Sequence, residues 1–210
     1  MHQTFTEESL VTICNKLAKK ETAFKNILDE YGYPPFWARK ASFETLIHII
    51  LEQQVSLASA RAALQKLKEQ IGTVTPKKLI QLSDAALKAC YFSRQKIVYA
   101  RCLAEAFVKR KIVLQKLAEL PDEEIRSSML QVKGIGNWTV DVFLMMVLHR
   151  PNLFPTGDIA LMNSVKHVMK LPASTSKEHI LELAKSWQPY RTIAAFMFWH
   201  AYIKRKKIVY

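Results

Sequence analysis

Gly134-Ile135-Gly136 runs straight into Asn137-Trp138-Thr139, and Asp158 follows twenty-two residues after Gly136. These are the residue types in the chain best suited to chemistry. The chain has only five glycines, and two sit in this one turn. Backbone without Cβ atoms can approach a phosphate closely, and the amides that open the next helix can bind it. A lone acid downstream then becomes a candidate for chemistry on whatever carries that phosphate. The same pattern also fits an ordinary helix–helix turn, and Thr156-Gly157-Asp158 ahead of an apolar stretch also reads as a helix N-cap.

Composition favours the phosphate reading. The 210 residues carry 31 Lys+Arg against 18 Asp+Glu, a net charge of +13, which points to a polyanionic partner. Half the residues are hydrophobic, enough for a large core in one domain or two small lobes. Cys14, Cys90 and Cys102 are scattered and form no C-x-x-C pair, which excludes a disulfide framework and a cysteine metal centre. The six histidines show no ligand spacing, so no catalytic metal is expected. No signal segment opens the chain and no run reaches about 18 apolar residues. A soluble protein of the cytoplasm, nucleoid or nucleus is the expectation, monomeric and without a membrane partner.

The elements that must position the turn and the acid are helical throughout. Ser42 starts a helix with Phe43, Leu46, Ile47, Ile50 and Leu51 on one stripe, and Gln54 continues that stripe at its exposed end. Ser56 to Gly72 is a second helix, and Thr75-Pro76 and Leu120-Pro121 are helix starts. Asp122 to Leu130 and Asn137 to Leu148 flank the Val132–Gly136 connection as a hairpin. Further helices run from Asp158 towards Lys170, from Ser176 to Trp187 and from Pro189 to about Lys204. The expectation is an all-α fold of roughly ten helices on typical helix lengths, with residues before Ser42 also helical. Lys204-Arg205-Lys206-Lys207 reads as a solvated basic end.

Leu130 to Thr139, with Phe154-Pro155-Thr156-Gly157-Asp158, resembles the helix-hairpin-helix DNA glycosylase superfamily, and within it the DNA-3-methyladenine glycosylase II (AlkA) type. Leu51 to Ser56, Ser93 to Lys96 and Trp187 to Arg191 agree, so the resemblance spans roughly residues 40–205. It implies a single domain of two helical lobes with the active-site cleft between them and no N-terminal β-domain. One lobe would hold about 1–40 plus 172–210, the other about 41–171. The implied partner is double-stranded DNA containing alkylated bases, and the implied act is hydrolysis of the N-glycosidic bond of a flipped purine in base excision repair.

The resemblance also assigns residues. Asp158 matches the catalytic aspartate, and Trp138 stands where bifunctional relatives carry a Schiff-base lysine, which implies a monofunctional enzyme. Gln54 matches the wedge that fills the vacated stack, with Gln53 and Val55 beside it at the DNA. Lys133, Gly134, Ile135, Gly136, Asn137 and Thr139 would hold the backbone, helped by Ser93 and Lys96. Trp138, Trp199 and Phe154 would line the base pocket, while Trp187 and Arg191 secure the C-terminal helices. A Na+ or K+ ion held by the carbonyls of Leu130, Val132 and Gly134 is implied too. Departures are Lys133, where proline is usual, and Ile49, where the adenine-mismatch branch has glutamate; the four-cysteine cluster of the endonuclease III branch is absent. Rival readings are a glycosylase for oxidised or deaminated bases with weak lyase activity, and a non-catalytic DNA-binding hairpin module.

Overall fold

Serine, threonine and aspartate start the helices of this protein. Ser42, Ser56, Ser83, Ser93 and Ser176 each sit in extended backbone and accept a hydrogen bond from the amide three residues on, as do Thr6, Thr75 and Asp158. The computed structural model describes residues 3–208, and among these it has thirteen helices and no strand. They are α1 Glu7–Lys20, α2 Thr22–Tyr31, α3 Phe43–Glu52, α4 Leu57–Ile71, α5 Pro76–Gln81, α6 Asp84–Ala89, α7 Arg94–Val108, α8 Leu114–Ala118, α9 Asp122–Leu130, α10 Asn137–Met146, α11 Ile159–Val168, α12 Lys177–Lys185 and α13 Arg191–Arg205. The α5 start at Thr75-Pro76 was expected, while α6 and α8, of six and five residues, are too short to show a hydrophobic period. Residues 32–42, expected to be helical, are not: Pro34 and Pro35 remove the amides a helix would need.

The chain forms two compact units, Met1–Ala38 with Leu144–Tyr210, and Arg39–Phe143. The first is organised on α13, in which every residue from Thr192 to Ala201 is buried. A helix apolar on all sides must be wrapped, and α1, α2 and α11 pack against it. Its aromatic core runs Phe24–Trp187–Phe198, with Phe154 on Trp187 at 5.5 Å. The Trp187 indole nitrogen reaches Glu21 at 2.7 Å, which ties the segment after α12 to the start of α2. Cys14 is buried in the same unit, and burial pushes its thiol up to about 12.

Residues 144–171 belong to this unit, whereas the sequence expectation grouped them with the hairpin lobe. The reason lies in α11: Leu161, Met162, Ser164 and Val165 bury their side chains, and the Ser164 hydroxyl donates to the Phe198 carbonyl on α13. The second unit is built round α3, where Ile49 is buried along with the predicted stripe. That helix is packed on more than one face, by α4 and α7.

Candidate nucleic-acid interface and carboxylate site

In the second unit the turn between α9 and α10 has one inward and one outward side. Val132 and Ile135 are buried, and the Ile135 amide donates to the Val132 carbonyl at 3.0 Å. Lys133, Gly136 and Asn137 are exposed. The two glycines therefore do different work. Gly134 has φ +98°, and a Cβ there would lie 2.3 Å from Tyr99 Cγ, so glycine is demanded by contact with α7. At Gly136 a Cβ would meet nothing within 4 Å. Gly136 thus leaves open space over an exposed turn, where no neighbour of the fold demands a glycine.

Side chains expected at DNA turn out in part to be the braces of this turn. Gln53 Nε2 donates to the Gly134 carbonyl and to Thr139 Oγ1, both at 2.9 Å, linking the end of α3 to the hairpin. Thr139 is only 1% exposed, so its side chain cannot meet a ligand. The Ile135 side chain is equally out of reach, leaving only its backbone. Ser93 caps α7 by accepting from the Lys96 amide at 3.2 Å. The Lys96 amine donates to the Leu51 carbonyl at the C-terminal end of α3, where the helix dipole favours a cation. Burial lowers the Lys96 pKa.

Gln54 does not project from a helix. α3 ends at Glu52, Gln53 is extended, and Gln54 sits at φ +57° in the left-handed region, exposed beside exposed Val55. A non-glycine residue there costs roughly 1 kcal/mol and is kept only where the neighbours fix it. Gln53 on one side and the Ser56 cap of α4 on the other do so.

Of the three carbonyls expected to hold a cation, two already accept one hydrogen bond each, which leaves each a second lone pair. The Gly134 carbonyl is directed at Gln53 Nε2 and the Val132 carbonyl at the Ile135 amide. Among the described residues no group of three or more His, Cys, Asp or Glu could hold a metal.

A brace that the sequence did not reveal is Arg126 on α9. Its guanidinium donates to Asn137 Oδ1 at 3.0 Å and to Asp141 Oδ1, joining both hairpin helices. Asn137 therefore presents its backbone outward while its side chain is held. Trp138, in the first turn of α10, is half-buried.

In the first unit Asp158 is half-buried at the N-cap of α11, and its Oδ1 accepts from the Leu161 amide at 2.7 Å. The cap reading and the chemical reading therefore share one residue. The segment leading to it is clamped onto the start of α13. Thr192 Oγ1 donates to the Arg150 carbonyl at 2.6 Å and accepts from the Leu153 amide at 3.0 Å, and the Thr192 amide donates to the Pro151 carbonyl at 2.9 Å. Arg191 adds two bonds to Asn152, one to the side chain and one to the carbonyl. Phe154, expected in the base pocket, is instead core, buried against Trp187. Trp199 keeps 8% exposure, stacked on Phe196 and edge-on to Trp37.

Relatives share this arrangement of helices. The described architecture overlays on Schizosaccharomyces pombe 3-methyladenine DNA glycosylase Mag1 in complex with abasic DNA, with a TM-score of 0.82 and 26% identity over 90% of this chain and 95% of that one. MBOgg1 in complex with a low-affinity DNA ligand also overlays, with a TM-score of 0.80 at 19% identity over 93% of this chain and 70% of that one, a likeness of fold alone. In sequence, DNA-3-methyladenine glycosylase 1 of S. pombe is 30% identical over 77% of this chain and 72% of its own length. The chain spans 66 to 77% of the lengths of the first three curated relatives it matches. The model of the HhH-GPD superfamily base excision DNA repair proteins matches residues 47–189, from the middle of α3 to the segment before α13. With its hairpin, its capped aspartate and most of its length inside that match, the chain belongs to the HhH-GPD superfamily of base excision DNA repair proteins.

Proposed function

We propose that the protein is a monofunctional DNA glycosylase that releases alkylated purines of the 3-methyladenine and 7-methylguanine class from double-stranded DNA, leaving an abasic site. The observation that carries the reading is Asp158, a carboxylate fixed at the N-cap of α11 on a clamped segment. The names of the S. pombe relatives support the substrate class.

The chemistry follows from what such a carboxylate can do. The bond between C1′ and the purine nitrogen breaks, its electron pair leaves with the base, and the sugar becomes oxocarbenium-like. A fixed negative charge offsets the developing positive one without reorganising. The same carboxylate orients the water whose oxygen bonds to C1′, and the released proton passes to solvent. A methylated purine that carries positive charge departs neutral, so no separate general acid is required. Such a base also favours an aromatic face, which Trp138 supplies in the first turn of α10. Indole cannot form an imine, so the strand stays uncut.

Extracting the base costs a few kcal/mol of stacking and pairing. Gln54, exposed and held between fixed neighbours, is the side chain we assign to the vacated space. The reading takes a monomer that uses no catalytic metal. A panel of duplexes with methylated, deaminated or oxidised bases tests it, each assayed with and without alkali. Methylated purines should be released, with strand breaks only after alkali. Asp158→Asn should keep DNA binding and lose about 10²–10³-fold in rate, the usual cost of removing one transition-state charge partner. Undiminished release by that variant, or a protein–DNA adduct trapped by borohydride, would overturn the reading.

A further inference from the structure

At the end of α11 opposite Asp158 lies an open groove of about 420 Å³. Asn163, Lys166 and His167 of α11 line it, with Tyr202, Arg205 and Lys206 from the end of α13 and beyond, and no acidic residue contributes. We propose that this groove is a second contact surface for the phosphate backbone of duplex DNA, separate from the hairpin. A ten-residue helix rises about 15 Å, so the groove and the carboxylate are at opposite ends of one rigid element.

Charge arithmetic separates this from the bland explanation, that basic residues merely complement helix C-termini. Each C-terminus is equivalent to roughly half a negative charge, so two helices account for about one. Against that stand Lys166, Lys170, Lys204, Arg205, Lys206 and Lys207, with no acid in either segment. Dipole complementarity leaves most of these cations uncompensated. An adjoining cavity of about 170 Å³ brings a single acid, Glu30, near Arg205.

Backbone geometry points the same way. Both helices end in the same motif. Leu171 donates to the Lys166 carbonyl and Lys170 to that of His167; Ile208 donates to Ile203 and Lys207 to Lys204. The left-handed position in such an ending is usually glycine. Here it is Lys170 at φ +54° and Lys207 at φ +51°, which sets a cation at each helix end; Tyr91 and Arg110 hold the same position after α6 and α7, so the feature that bears on the groove is the charge and not the strain. The groove side chains are also partly ordered. Lys166 Nζ donates to the Ala173 carbonyl at 2.7 Å, and the Arg205 guanidinium lies 6.0 Å from the Tyr202 ring centre. Fixed cations in a groove that no acidic side chain lines match a row of phosphates, and the family acts on DNA.

The proposal rests on DNA as partner and not on which base is removed, so binding of undamaged duplex tests it. The variant is R205A/K206A, compared with K88A/K116A, which removes two exposed charges elsewhere. Losing two phosphate contacts should lower the slope of log K against log salt by about 1.8. Affinity at low salt should fall at least fivefold beyond the control pair, while single-turnover release at saturating enzyme stays within twofold of wild type. A slope and affinity equal to those of the control pair would overturn the groove. If instead wild type releases no base from any duplex, it is the glycosylase reading that fails, whatever the groove binds.

Discussion

Asp158 caps α11, and the proposed function gives it a second role at the reacting sugar; substitution separates the two. Asparagine caps a helix as well as aspartate does, whereas alanine loses about 1 kcal/mol. Asp158→Asn should therefore keep the thermal midpoint and lose base release; Asp158→Ala should lose both, by calorimetry and single-turnover assay. The two hairpin glycines divide in the same manner. Gly134→Ala forces a Cβ onto Tyr99 in a left-handed backbone, and we expect a loss of at least ~2 kcal/mol in denaturant unfolding. Gly136→Ala meets no neighbour, so stability should hold while DNA affinity drops. Equal destabilisation by the two would contradict the division.

At the scale of elements, the working residues are held by braces rather than by their own helices. Gln53 joins α3 to the hairpin, Arg126 joins α9 to α10, and Thr192 joins α13 to the segment before Asp158. Thr192→Val keeps the volume but strands the Leu153 amide, which we expect to cost about 1–3 kcal/mol. Release of base should slow further than binding weakens, because the aspartate loses its fixed position. Thr192→Ser, which restores the hydroxyl, should recover the rate; failure to do so would remove Thr192 from any positioning role. Lys96 works likewise for α3, so its loss should show in stability before it shows in DNA affinity.

For the whole molecule, three histidines set a direction with pH. Burial lowers the pKa of His48, His149 and His200 below the ordinary 6.5. Between each folded value and 6.5 the unfolded chain binds more protons, so stability rises with pH there. It is complete above 6.5 and is lost as pH falls through the lowered values. Midpoints measured from pH 7.5 down to 5.5 should drop, and replacing His149 or His200 by a neutral residue should flatten the curve. A midpoint that rises on acidification would contradict the sign.

The all-helical fold, the hairpin and the capping position of Asp158 were legible in the chain, because they depend on local properties. Hydrophobic period, a hydroxyl or carboxylate three residues ahead of an amide, and paired glycines all act within one or two turns. What Gln53, Thr139, Phe154 and Lys96 do was not legible, since each is defined by a partner distant in sequence or by burial. Gln53 meets Gly134 and Thr139, and Phe154 meets Trp187, only after the helices pack. Gln54 shows the same limit. Its stripe continued the pattern of α3, yet the helix stops at Glu52, where Lys96 donates to the Leu51 carbonyl and Gln53 turns to the hairpin. Local sequence determined most of the helices and where they start; tertiary packing decided which polar side chains are spent as braces and which stay exposed, because those partners lie far apart in the chain.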